Sequence, residues 1–155
     1  MGEFHHDMEE SFLRSARNGS SKRTRQVATK TQTLRVLCVD DEVHVLSLVT
    51  DTLSVEGYDV QTAVDGAHAL QKIATNDRPY DLLIVDGRMP NLDGWKFIVQ
   101  ARAGGFKGRI IVFSGFIDSY EQKRYGELSI DRIIEKPPRT GELVSAVKEL
   151  IGEAL

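Results

Sequence analysis

Read for hydrophobic and polar positions, residues 34–155 alternate between two kinds of segment. Residues 34–39 (LRVLCV), 81–85 (DLLIV) and 109–113 (RIIVF) are short apolar runs closed by polar or turn residues. Runs of that length and composition predict buried strands. Residues 58–63 (YDVQTA) alternate apolar and polar, which predicts a strand with one wetter side, and 130–134 (IDRII) predict a fifth short strand. Between them the apolar spacing is helical. Over 43–55 it runs through Val45, Leu46, Val49, Leu53 and Val55, and Gly57 is a natural stop. Over 67–75 it runs through Ala67, Leu70, Ile73 and Ala74, and over 94–103 through Trp95, Ile98 and Val99 before Gly104-Gly105 breaks it. Residues 118–128 are polar and predict a short, weakly anchored helix. Residues 140–151 predict a last amphipathic helix, with Leu143, Val144, Val147, Leu150 and Ile151 inward and Glu142 near its positive end.

Strands alternating with helices predict an α/β fold, a parallel sheet covered on both faces and joined by right-handed crossovers. In such sheets ligands bind beyond the carboxyl ends of the strands. The 155 residues fit one domain with a core of its own. No apolar run approaches the roughly 18 residues of a membrane helix, and the first residues lack the apolar stretch of a signal peptide, so a cytoplasmic location is expected. A lone cysteine, Cys38, excludes an internal disulfide and reads as a small core residue. The net charge of −3 gives no global argument for nucleic-acid binding, and no direct nucleic-acid partner is expected. Charge is unevenly spread, however. Residues 20–33 carry Lys22, Arg23, Arg25 and Lys30 with no acid, so residues 1–33 are read as a disordered, partly basic arm ahead of a domain over 34–155.

The chemistry stands at the expected strand ends. Asp40 and Asp41 follow the first strand, Asp86 the third, Ser114 the fourth and Lys136 the fifth. Carboxylates crowded at one edge repel unless a cation joins them. Oxygen donors without His or Cys favour Mg²⁺, and Mn²⁺ could substitute. A carboxylate beside such a cation, with a hydroxyl and an ammonium near, can act as nucleophile toward a phosphoryl group. Plainer roles exist for each residue: Asp86 as a loop cap, Asp40 or Asp41 as the N-cap of the next helix, Ser114 as a turn serine, Lys136 as a solvated lysine. His44 and His68 fall on helices away from the acids and read as surface residues. Trp95 is expected to pack at the start of its helix.

VDDE at 39–42, VDGRMPNLDG at 85–94, SG at 114–115 and EKP at 135–137, in that order and each at a strand end, resemble a response-regulator receiver domain. The resemblance covers about 34–155 and implies a flavodoxin-like, doubly wound sheet of order 2-1-3-4-5 with five helices. It further implies that Asp86 is the phosphoacceptor, that Asp41 holds Mg²⁺ directly and Asp40 mainly through water, and that the backbone carbonyl of Arg88 is another metal ligand. Ser114 would bond a phosphoryl oxygen, Lys136 would pair with the phosphoryl group, and the Lys136-Pro137 peptide would be cis. The family usually carries an aromatic switch residue three positions before the lysine; this chain has Ile133 there, so output coupling is expected to differ. Arg88 and Phe116 occupy positions that flank the phosphoryl group and influence its lifetime in the family.

A phosphoryl-accepting switch, not an enzyme, is therefore the leading expectation. Its donor would be a sensor histidine kinase or a histidine phosphotransfer protein, and its downstream protein would bind through about 118–155. With no output domain behind the last helix, the chain is expected to be a stand-alone receiver or one cut from a larger regulator, a monomer or weak dimer without membrane contact. A receiver-like scaffold acting without phosphorylation is the second reading. A Mg²⁺-dependent phosphohydrolase with an aspartyl nucleophile is the third; it needs an acid two residues after the nucleophile, where this chain has Arg88.

Overall fold

A computed structural model describes residues 32–154, and the expected arm, 1–33, lies almost wholly outside them. β1 (Arg35–Val39), β2 (Asp59–Ala63), β3 (Leu82–Val85), β4 (Arg109–Ser114) and β5 (Arg132–Glu135) form one parallel sheet in the order β2-β1-β3-β4-β5. They alternate with α1 (Val43–Val55), α2 (Gly66–Thr75), α3 (Gly94–Ala103), α4 (Ser119–Gly126) and α5 (Glu142–Ile151). The expected doubly wound order is the observed one.

The strand period of two divides the core in halves. Val36 and Cys38 of β1, Leu82 and Ile84 of β3, and Ile111 and Phe113 of β4 point to one face, where Leu46, Val49 and Leu53 of α1 meet Leu143, Ala146 and Val147 of α5. Leu37 and Val39, Leu83 and Val85, and Ile110 and Val112 point to the other, covered by Ala69 of α2, Phe97, Ile98 and Ala101 of α3, and Tyr125 of α4. β1 and β3 are buried along their whole length, so they carry no polar alternation, whereas the edge strand β2 is half-buried over four of its five residues.

Helix starts follow the sequence where a carboxylate caps them. Asp65, Asp93 and Asp118 accept the backbone N–H of His68, Lys96 and Glu121 at 2.7, 2.8 and 2.7 Å. Three expectations move. The N-cap of α1 is Glu42, not Asp40 or Asp41, and no side chain bonds there; Asp40 instead takes the N–H of Glu42 itself. α5 begins at Glu142 behind Gly141, two residues later than the pattern suggests, and the Glu142 carboxylate reaches back to the Arg139 N–H at 2.8 Å. β5 begins at Arg132 rather than residue 130, because the Asp131 carboxylate takes the Ile110 N–H at 2.9 Å and the guanidinium of Arg109, ending the ladder there.

Gly94 opens α3 hard against the end of β3. A Cβ on it would stand 2.4 Å from the Asp86 carbonyl oxygen and 3.0 Å from the Gly87 Cα, both backbone atoms that no rotamer change can move. Gly94→Ala is therefore expected to cost about 1–3 kcal/mol and lower the melting temperature. Gly126→Ala, where a Cβ meets nothing within 4 Å, is expected to be neutral or to stabilise by up to about 1 kcal/mol. Thermal unfolding of the two variants side by side checks this, and equal losses would refute the close approach.

Candidate functional site

Strand order reverses between β1 and β3, and the backbone carries both strands one residue further as a ladder. The Asp40 N–H donates to the Ala63 carbonyl at 3.1 Å and the Asp86 N–H to the Val39 carbonyl at 2.9 Å. The two acids are thereby held side by side at the crevice, 1% and 5% exposed, with Asp41 exposed beside them. One oxygen from each of the three lies within 4.8 Å of the others.

Lys136 follows β5 directly. Its N–H is bonded to the Ser114 carbonyl at 2.8 Å, and its ammonium lies 2.6 Å from Asp40 Oδ2 and 3.5 Å from Asp86 Oδ1. The Lys136-Pro137 peptide is cis, as the resemblance implies. Ser114 is the buried last residue of β4, not an exposed turn serine; its Oγ lies 2.9 Å from where a Cβ on Gly87 would stand. The structure thus brings Asp40, Asp41, Asp86, Ser114 and Lys136 to one sheet edge.

Burial pushes the Asp86 carboxyl up to about 6, and the Asp40 charge pushes the same way, against the pull of Lys136 and of the Arg88 N–H that bonds Asp86 Oδ1 at 3.3 Å. For Lys136, burial alone would lower the ammonium. The hydrogen bond to Asp40 and the charges of Asp86 and Asp40 outweigh it, so the group is raised and stays charged. Burial, and then the Asp40 charge, raise the Cys38 thiol, which fits a core residue rather than a reactive one. Three carboxylates against one ammonium leave negative charge uncompensated. The donors are all oxygens and Asp41 opens the cluster to solvent, a set that fits a hard divalent cation such as Mg²⁺.

Arg88 and Phe116 meet each other at the outer surface, with the guanidinium carbon 5.6 Å from the ring centroid and the ring 56% exposed. Ile133 is half-buried against the core of the α2–α4 face. Trp95 packs at the start of α3 and donates from Nε1 to the Arg124 carbonyl at 3.3 Å. His44 and His68 are exposed. Sequence reading passed over Tyr125. It is wholly buried (0% exposed), and its hydroxyl lies 3.4 Å from the carbonyl of Gly87, the residue after Asp86. The available signal was an aromatic in a polar helix together with two glycines, Gly87 and Gly94, flanking the acidic loop.

A doubly wound parallel sheet with an acidic cluster and a lysine at its switch point defines a signalling receiver by class. The chain belongs to the response regulator receiver domain family, whose model matches residues 36–148. It is 38% identical over 117 residues to the transcriptional regulatory protein PrrA of Mycobacterium tuberculosis, covering 76% of this chain and 49% of that protein. The chain spans about half the length of the curated relatives it matches. Among solved structures it resembles the response regulator TrrA of Thermotoga maritima in complex with Mg²⁺ and BeF, with a TM-score of 0.68 and 30% identity, covering 76% of this chain and 99% of that one. The receiver domain of an HD domain-containing protein from Pseudomonas fluorescens gives a TM-score of 0.71 at 26% identity, covering 77% and 94%. The chain is thus a receiver domain of two-component signalling, and among the described residues no helix is long and apolar enough to cross a membrane.

The raised Asp86 carboxyl has a consequence for stability. Its folded value, about 6, lies above the ordinary 3.8. The stability associated with its neutral form is therefore fully present below 3.8 and lost as pH rises through about 6. In metal-free protein, Asp86→Asn is expected to be more stable than the wild type at pH 8, by at most about 3 kcal/mol. The difference should shrink toward zero near pH 4. Denaturant unfolding in chelator at several pH values checks this, and a variant less stable at pH 8 would refute it.

Proposed function

We propose that this receiver takes a phosphoryl group from a phosphohistidine onto Asp86, and that the observation carrying this is the Lys136 ammonium set between the buried carboxylates of Asp40 and Asp86. An Asp86 oxygen attacks the phosphorus of a phosphohistidine on a sensor kinase or a histidine phosphotransfer protein. The P–O bond to Asp86 forms as the P–N bond breaks, and the electron pair returns to the imidazole nitrogen. The Arg88 N–H helps hold the Asp86 carboxylate in place. Lys136 pairs with the phosphoryl oxygens and the Ser114 hydroxyl donates to one of them. Asp40, Asp41, Asp86 and the Arg88 carbonyl would hold Mg²⁺, with Mn²⁺ as a substitute; when bound, it supplies the positive charge that offsets the phosphoryl oxygens.

The partner-binding surface is read as α4, β5 and α5, within 118–155. A groove of about 550 Å³ runs there, lined by the apolar Ile117, Ile130 and Ile133 together with the charged Arg132, Glu135 and Glu142, and it offers a downstream protein a mixed apolar and charged surface. The hydrolase reading lacks its acid, since Arg88 stands two residues after Asp86 with its side chain at the surface. A scaffold needing no phosphorylation has no use for two buried acids and an exposed third held together at the sheet edge, a set whose charge Lys136 offsets only in part.

With a small-molecule phosphodonor and Mg²⁺, the chain is expected to gain the mass of one phosphoryl group. Asp86→Asn should gain none, and Lys136→Ala should react about 100-fold more slowly. A wild-type gain that survives Asp86→Asn would sink the assignment. The Arg88 and Phe116 pair is read as a screen against attacking water. Arg88→Ala is expected to shorten the phosphorylated lifetime, followed by mass spectrometry after donor removal; a wild-type half-life of seconds, unchanged in Arg88→Ala, would remove that role.

A further inference from the structure

α4 is polar over most of its surface and anchors on one buried side chain, Tyr125. The Tyr125 hydroxyl lies 3.4 Å from the Gly87 carbonyl oxygen, which also accepts the Gly94 N–H at 3.2 Å. It stands 3.2 Å from the position a Cβ would take on Gly87 and 3.0 Å from that on Gly94. Both glycines therefore leave the space that the tyrosine fills. Ser114 Oγ is 2.9 Å from the same Gly87 position, so Ser114, Tyr125 and the residue next to Asp86 converge on one peptide.

The neighbouring Arg124 repeats the connection on the surface. Its guanidinium bonds Asp93 at 3.3 Å and lies 5.1 Å from the Trp95 ring centroid, while the Trp95 indole N–H donates to the Arg124 carbonyl. Two consecutive residues of α4 thus grip the loop between β3 and α3 and the first turn of α3. Ile133, by contrast, offers apolar contact alone.

We propose that Tyr125 is the positioning residue through which occupancy of Asp86 reaches α4: an aromatic relay supplied by α4 in place of one on β5. A phosphoryl group on Asp86 that draws in the Ser114 hydroxyl changes the packing on Gly87. A shift of the Gly87 carbonyl stretches or re-forms the buried hydroxyl bond. A buried hydroxyl without a partner is costly, so the ring follows the carbonyl and carries α4 with it. The relay rests on the acceptor role of Asp86.

The test uses the full chain with acetyl phosphate and Mg²⁺. Intact mass reports phosphorylation; amide hydrogen exchange over 119–126 and Trp95 fluorescence report α4. In the wild type both reporters are expected to change with the mass gain. Tyr125→Phe, which keeps the ring in its space, should gain the phosphoryl group normally while the α4 response per phosphorylated molecule falls roughly two- to tenfold, the scale of one neutral hydrogen bond. Ile133→Ala should respond as the wild type does. A purely structural tyrosine would lower stability without uncoupling the reporters from the mass gain. Wild-type phosphorylation with an unchanged Tyr125→Phe response, or with no α4 response at all, overturns the relay and leaves the acceptor role standing. No phosphoryl gain in the wild type overturns both.

Discussion

The Lys136 ammonium, held 2.6 Å from Asp40 and 3.5 Å from Asp86, is the contact on which the site depends. Two acids removed from water at the end of a sheet would otherwise repel each other across a low-dielectric gap. The sheet can hold them there because their backbone amides continue its ladder and because the strands beneath them are buried on both faces. Lys136 offsets part of the charge and leaves the rest. The acid cluster is thus incomplete by its own electrostatics, and the Asp86 carboxyl is raised to about 6 by its burial first and by the Asp40 charge second. A site left short of positive charge is one where a bound cation is favourable, and a cation favours the ionised carboxylate that nucleophilic attack requires.

Much of this was legible in the sequence, for identifiable reasons. The inner strands are continuous apolar runs and each ends abruptly on Asp40, Asp86 or Ser114, so the polar residues at the carboxyl edge stood out without any knowledge of packing. The helices with apolar stripes were found for the same reason. The starts of β5 and α5 were not, because both are decided by side chains acting on distant or backward backbone. Asp131 takes an amide 21 residues away, and Glu142 reaches back to Arg139. Asp40 illustrates a related limit. Its spacing before α1 suits a cap, but its carboxylate is already committed to Lys136 and to the Glu42 amide.

α4 shows where periodicity fails altogether. Its composition is that of a solvated helix, and one residue reverses that reading. Tyr125 is buried not because the helix has an apolar stripe but because Gly87, 38 residues earlier, and Gly94 leave room for it. A vacancy made by absent side chains in one segment and filled by a single ring from another leaves no local pattern. It becomes visible only when the sheet order has brought β3 and β4 side by side.

The two residues after Asp86 therefore face different problems. Arg88 turns outward, with its guanidinium set against the exposed ring of Phe116. Gly87 turns inward, where its carbonyl meets Tyr125 and its missing side chain admits Ser114. Under the proposed function, a change at the outer pair acts on how long a phosphoryl group on Asp86 persists, and a change at the inner group acts on what that group moves. Since the outer pair is exposed and the inner group buried, the first can vary at small cost to folding. The second is tied to the same packing that holds α4 on the sheet. Tyr125 is thus the buried polar contact of α4 with the acidic loop, beside the surface contacts of Arg124 with Asp93 and Trp95, while Ile133 of β5 offers apolar contact alone.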